Sequence, residues 1–256
     1  MTQSHIERIP YSAPRGTFID ALKREGCVIV QNFSTPETLE QARQEVQPWL
    51  EKEEHRSKLG GRLRLPALNG GTRTCTRLIG RSQTVREKFF SDLLDLAEEF
   101  LAITTTNWYG EEPSTNITHP LLSIAITMDI RPGARAQKLH RDDKNHHARH
   151  TRVDAYHTNR DILLGLFVPG CDTRRANGAT RVVLGSHLWG DEKPDFGPDG
   201  NTGVFFESSG GRMMHIMFMC SGVYRQESKL VQQRLGWTQS GPNLGWVDLA
   251  SPDALL

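Results

Sequence analysis

The segment Gln137-Lys-Leu-His140-Arg141-Asp142-Asp143 holds the residue types best suited to chemistry in this chain. His140 and Asp142 stand two positions apart, so in extended backbone both side chains leave the same face. An imidazole and a carboxylate sharing one face at a strand end can share a metal ion. With a second histidine they form the 2-His-1-carboxylate facial triad, which leaves positions open on Fe(II) for oxygen and a chelating cosubstrate. The same two residues can also form a surface ion pair with Arg141 or Arg135. His146, His147, His150 and His157 lie in the polar stretch 144–160 and read as solvated loop residues. His187, in Gly185-Ser-His-Leu-Trp189, is expected to order its turn by hydrogen bonding. Met213, Met214, Met217 and Met219 read as core filler, and Trp49, Trp108, Trp237 and Trp246 as packing residues.

Positioning such a motif needs a scaffold, and the pattern changes character along the chain. The first third reads as helical. Ser34-Thr-Pro-Glu37 is a helix start with Ser34 as cap and Pro36 in the first turn. Leu39, Ala42, Val46 and Leu50 then recur at helical spacing. A second helix opens near Ser82 and runs through Val85, Phe89, Leu93, Leu96, Ala97, Phe100 and Leu101. Between the two, Arg73-Thr-Cys-Thr-Arg77 reads as a short extended piece. From about Leu121 short strands separated by Gly, Pro and Asn/Asp signals take over: 121–130, 162–168, 180–184, 203–207 and 213–220. Helices followed by many short strands predict a mainly β jelly roll, one domain over 1–256, with 1–115 mostly helical and 116–256 the jelly-roll core.

Composition narrows the function class. The chain has 256 residues, 37% hydrophobic and 24% charged, with a net charge of +1. That balance disfavours a nucleic-acid or membrane-surface partner. No stretch approaches the length of a membrane span, the start lacks an apolar leader, and four scattered cysteines suit a reduced, cytoplasmic setting.

Asn177-Gly-Ala-Thr-Arg-Val-Val-Leu-Gly-Ser-His-Leu-Trp189, together with its offset from His140-Arg-Asp142, resembles the signature strand and turn of phytanoyl-CoA-dioxygenase-like enzymes. Segments 139–143 and 161–189 most resemble the fungal branch that tailors meroterpenoids and alkaloids. The resemblance extends from Gly26-Cys-Val-Ile-Val-Gln-Asn-Phe33 to Gly245-Trp-Val-Asp248. It implies a double-stranded β-helix (a cupin-like jelly roll), Fe(II) and 2-oxoglutarate as cofactors, a bulky small-molecule substrate, and a dimer. His140 and Asp142 then match the first two iron ligands and Gln137 a cosubstrate contact. The strip from Arg73 to Arg77 matches a region lining the site.

The distal histidine and the arginine that binds the far carboxylate of 2-oxoglutarate admit two registers. In one, His215 is the ligand and Arg225, ten residues on, the anchor. In the other, Arg212 opens the closing strand and is itself the anchor, Gly222-Val-Tyr-Arg-Gln-Glu227 is the turn, and the histidine-bearing loop is shortened to Gly210-Gly211. Arg212 and His215 are an odd number apart, so an unbulged strand sends them to opposite faces. The apolar run 216–220 also suits a buried strand. Both points favour the second register, which leaves the triad incomplete. Two functions follow: an Fe(II)/2-oxoglutarate oxygenase of secondary metabolism, acting as a homodimer, or a catalytically impaired homologue that supports an active relative in a heterodimer.

Overall fold

A computed structural model describes residues 5–58, 72–134, 136–192, 203–205 and 211–219, with backbone alone for 53–58, 91–93, 145–146, 205 and 211–219. In chain order the strands are β1 (Arg8–Pro10), β2 (Ile29–Gln31), β3 (Thr72–Thr76), β4 (Ile103–Tyr109), β5 (Glu112–Thr118), β6 (Leu121–Ile130), β7 (Leu163–Gly170), β8 (Arg181–Val182), β9 (Val204–Phe205) and β10 (Gly211–Met219). The helices are α1 (Arg15–Glu25), α2 (Pro36–Lys58), α3 (Leu78–Arg81) and α4 (Phe90–Leu101). Among the described residues no helix is long and apolar enough to cross a membrane.

The two helices expected from periodicity are present, with local differences at their starts. Thr35, not Ser34, caps α2: its hydroxyl accepts the Thr38 N–H at 3.2 Å, and Pro36 takes the first helical position, where no amide partner is needed. The second helix does open at Ser82, whose hydroxyl accepts the Val85 N–H at 3.0 Å. It begins with a π-helical turn, Val85–Phe89, before continuing as α4. The wider turn places both Val85 and Phe89 in the core.

Glu45 of α2 ties these two helices together. Its carboxylate accepts from Ser82 Oγ at 2.6 Å, Thr84 N at 3.0 Å and Thr84 Oγ1 at 2.9 Å. Burial pushes this carboxyl up, but the bonds from Ser82 and Thr84 outweigh it and hold the group below its ordinary value.

The central sheet is antiparallel throughout, in the order β3-β6-β10-β7. The last of the described strands lies between two earlier ones, so the chain wraps around rather than zigzagging, as Greek-key and jelly-roll topologies do. One sheet face carries Cys75, Ala125, Thr127 and Val168, all buried, and meets Ala42, Val46 and Leu50 of α2 and Ala97, Phe100 and Leu101 of α4. Each fully buried aliphatic or aromatic side chain there contributes about 1.5–3 kcal/mol through loss of water contact. This layer holds the sheet from which the site-bearing segment departs.

Helices account for most of the described residues of 1–115, and strands are interspersed with them. The same region contains β1 to β3, and the β4–β5 hairpin spans 103–118, pairing Ile103 with Thr118 through Tyr109 with Glu112. The hairpin is nearly all exposed. Trp108, expected to pack, is 66% exposed, whereas Trp49 does pack against the core, beneath the Arg81 guanidinium at 4.5 Å. Trp237 and Trp246 lie outside the described residues. Of the expected strands at 180–184 and 203–207, the described residues show β8 and β9, which pair with each other in a separate two-stranded sheet; residues 206 and 207 lie outside the described residues.

Candidate metal centre

After β6 ends at Ile130, the turn at Arg131-Pro-Gly133 closes with the Ala134 N–H on the Arg131 carbonyl. Gly133 takes φ +86° there, a conformation that glycine adopts without steric cost. A 3-10 turn, Asp142–His146, follows shortly after, entered from Arg141 in extended conformation (φ −112°, ψ 126°) and left through His147 at φ +59°. The extended entry produces strand-like alternation. The side chains of His140 and Asp142 are 50% and 45% exposed; those of Arg141 and Asp143 are 27% and 14% exposed.

His140 Nε2 lies 3.2 Å from Asp142 Oδ1. The other ring nitrogen, Nδ1, lies 2.7 Å from the Lys138 carbonyl. A carbonyl only accepts, so Nδ1 carries a proton; a singly protonated ring then presents the Nε2 lone pair to a carboxylate oxygen. Two such acceptors repel unless a cation lies between them, either a second ring proton or a metal ion. Adjacent ligand atoms of an octahedral ion at about 2.1 Å are about 3 Å apart, so the observed spacing suits two neighbouring coordination positions. A backbone carbonyl behind the ligating histidine is also the usual outer partner of a metal-bound imidazole. The pair fits a metal. Among the described residues, however, no group of three His, Cys, Asp or Glu side chains converges.

The remaining expected site residues are distributed as follows. Gln137 is exposed, three positions before His140. Arg73 donates from Nε to Asp129 Oδ2 at 2.7 Å, across the β3–β6 pairing. It shares the alternation of Cys75, on the sheet face that the helices cover. For His215 the backbone alone is described, paired to Ile126 on one side and Phe167 on the other. Arg212 sits within a bulge: Gly211 pairs with Gly170 and Met214 with Val168, three steps on β10 against two on β7. An odd separation therefore no longer assigns Arg212 and His215 to opposite faces, and the parity argument against His215 loses its premise. Arg225 and Arg135 lie outside the described residues.

One expectation for the polar stretch is corrected. His150 is not solvated: its side chain is 3% exposed, and Nε2 lies 2.7 Å from Asp143 Oδ2. Arg160 is also buried, donating to the backbone carbonyls of Thr151, His187 and Trp189 at 2.7, 2.9 and 2.7 Å. His147 and His157 are exposed as expected. His187 does act through a hydrogen bond, but its Nε2 reaches the Lys23 carbonyl at the end of α1, at 3.1 Å. Any Cβ at position 26 would fall 2.5 Å from His187 Nδ1, so this contact requires Gly26. Asp161, beside this cluster, has its carboxyl pushed up by burial, against the charges of His187, Arg160, His150 and Arg141.

A cavity of about 460 Å³ lies elsewhere, along the free edge of β7 among the described strands. Its walls include Val28, Val30, Leu39, Ile130, Leu166 and Thr180. Neither His140, Asp142 nor any residue of 144–159 lines it, so it is not the compartment expected beside the motif.

A turn-mounted histidine–aspartate pair beside an antiparallel, helix-backed sheet defines a candidate mononuclear metal protein. The family comparison places it more closely: residues 22–209 match the phytanoyl-CoA dioxygenase (PhyH) model, and the chain belongs to that family. It is similar to dioxygenase himG of Aspergillus japonicus, 29% identical over 282 aligned positions covering 91% of this chain and 84% of himG. Dioxygenase peniF of Penicillium patulum is 25% identical, with 92% and 86% covered. Multifunctional dioxygenase ausE of Emericella nidulans is 28% identical over 73% of this chain and 58% of its own length. The alignment with himG is longer than the 256-residue chain, so himG has segments without counterpart here.

Proposed function

We propose that this protein is an Fe(II)- and 2-oxoglutarate-dependent oxygenase of secondary metabolism, with His140 and Asp142 as two of the iron ligands and a bulky terpenoid or alkaloid as substrate. The observation that carries this reading is the approach of His140 Nε2 to Asp142 Oδ1 at 3.2 Å, within the segment that the dioxygenase family model matches. In this reading the four-stranded sheet is one wall of a double-stranded β-helix, and His215 on β10 supplies the third protein ligand. The bulge beside Arg212 supports that assignment by allowing both residues to serve one compartment. Bound iron and cosubstrate supply oxygen activation and substrate oxidation. The chain's own tasks are to orient the His140 ring through the Lys138 carbonyl and to present Asp142 beside it.

The test is anaerobic titration with Fe(II) and 2-oxoglutarate. The wild type is expected to develop the weak visible charge-transfer band of the chelate, and His140→Ala and Asp142→Ala to lose it. Loss in His215→Ala as well would make His215 the third ligand. A wild type that binds neither Fe(II) nor 2-oxoglutarate would overturn the proposal.

A second reading, an impaired subunit that pairs with an active homologue, is favoured by two observations. The family match stops at residue 209, just before β10, and the himG alignment includes positions of himG without counterpart in this chain. Co-expression with such a homologue separates the readings: a stable heterodimer in which only the homologue binds iron supports the second.

A further inference from the structure

The His140–Asp142 pair is half exposed and sits on a turn, so something else must fix its geometry. The alternate residues do this. Arg141 and Asp143 turn inward where His140 and Asp142 turn outward. Asp143 Oδ2 accepts from Arg141 at 3.1 Å and from the buried His150 ring at 2.7 Å. Arg141 also donates to the Trp189 carbonyl at 3.2 Å, the same carbonyl that Arg160 reaches. His150 is itself pinned, its backbone N–H donating to Asp191 Oδ1 at 3.0 Å. These bonds join the motif to segment 187–191, some forty residues later in the chain.

We infer that His150, acting through Asp143, is a positioning residue for the metal ligands: it holds the 142–146 turn so that Asp142 faces His140. Arg141 and Arg160 complete the frame by fixing the backbone at 151 and 187–189. The inference rests on the proposed metal site, but its first readout is independent of metal. A charge-assisted bond to a buried carboxylate is worth more than a neutral one. Its removal frees a turn that has few apolar contacts of its own.

The experiment compares wild type with His150→Phe, which fills the space without a donor, and His150→Gln, whose amide can donate to Asp143. Hydrogen exchange is measured on the metal-free chain, and Mn(II) affinity by titration with the metal alone. His150→Phe is expected to lose protection at 139–147 and to bind Mn(II) about ten- to a hundredfold more weakly. His150→Gln is expected to recover most of both. Glu45→Gln, which weakens the distant helix junction, is expected to leave both unchanged. If His150→Phe fails to fold, Asp143→Asn is read in the same way. Unchanged exchange at 139–147 in a folded variant, or an equal loss in Glu45→Gln, would overturn the inference. Should the wild type bind no Mn(II), the metal-site proposal fails, and hydrogen exchange alone still decides the positioning role.

Discussion

Glu45 and Asp143 are both partly buried carboxylates that join distant segments, and they are satisfied differently. Glu45 uses both oxygens: Oε2 accepts from Ser82 Oγ and Thr84 N, and Oε1 from Thr84 Oγ1. Asp143 takes both of its bonds on Oδ2, from Arg141 and His150, while Oδ1 is buried with no partner among the described residues. The first junction lies between a long helix and the start of another, inside the main apolar layer. The second lies beneath an exposed turn. A carboxylate bonded through both oxygens is held on both sides, whereas one bonded through a single oxygen leaves the other's desolvation uncompensated by its own neighbours. The difference separates the part of the molecule that holds the fold from the part that holds the motif.

The most severe way to break the first region is to open its core. Phe89 is buried in the π-helical turn, with its ring centroid 5.7 Å from that of Phe33. Phe89→Ala is expected to destabilise the chain by about 3–5 kcal/mol, by lost burial plus the cavity left behind. Denaturant unfolding measures it. A cost below about 1 kcal/mol would mean that the helical layer is not the stabilising core.

That core was the most legible part of the sequence. Leu39, Ala42, Val46 and Leu50 face one way because a helix repeats every 3.6 residues, and periodicity states this without tertiary information. Strand β6 was readable at both ends for a similar reason, bounded by Pro120 and by Arg131-Pro-Gly133. The β4–β5 hairpin was missed because Thr104, Thr105 and Thr106 give no alternation of apolar and polar residues, and both of its faces are wet. His140 and Asp142 were found from their spacing. Asp143, His150 and Arg160 were not, since a charged loop looks solvated until the carbonyls and carboxylates that cover it are known. One signal was present: if His140 and Asp142 point out of extended backbone, Arg141 and Asp143 must point in. The bulge at Arg212 had no sequence signal that could displace the parity argument built on a regular strand.

A smaller effect sharpens the comparison at Glu45. Replacing it with Gln keeps the shape but loses charge-assisted acceptance, at a cost of about 1–3 kcal/mol. Because the native carboxyl titrates below its ordinary value of about 4.3, its stabilisation is complete above that pH and is lost as pH falls through the native value. Thermal unfolding of wild type and Glu45→Gln is therefore expected to differ at pH 7 and to converge in acid. A difference that persists below the native titration would assign the cost to packing rather than charge.

At Asp161 the sign reverses. Burial raises this carboxyl despite four nearby cationic or protonatable groups, so the native state holds the proton more tightly than the unfolded chain does. Its contribution is favourable at low pH and is lost as pH rises through the native value; at neutral pH the ionised group costs stability. Asp161→Asn removes that cost, and a gain on the order of 1 kcal/mol is expected at pH 7, typical of a single buried polar change. The gain should shrink as pH falls toward about 3.9, where the unfolded chain also binds the proton. A destabilised variant at pH 7 would mean that Arg160 and His187 hold Asp161 as a working ion partner. The region around the motif would then resemble the Glu45 junction more closely than the comparison above requires.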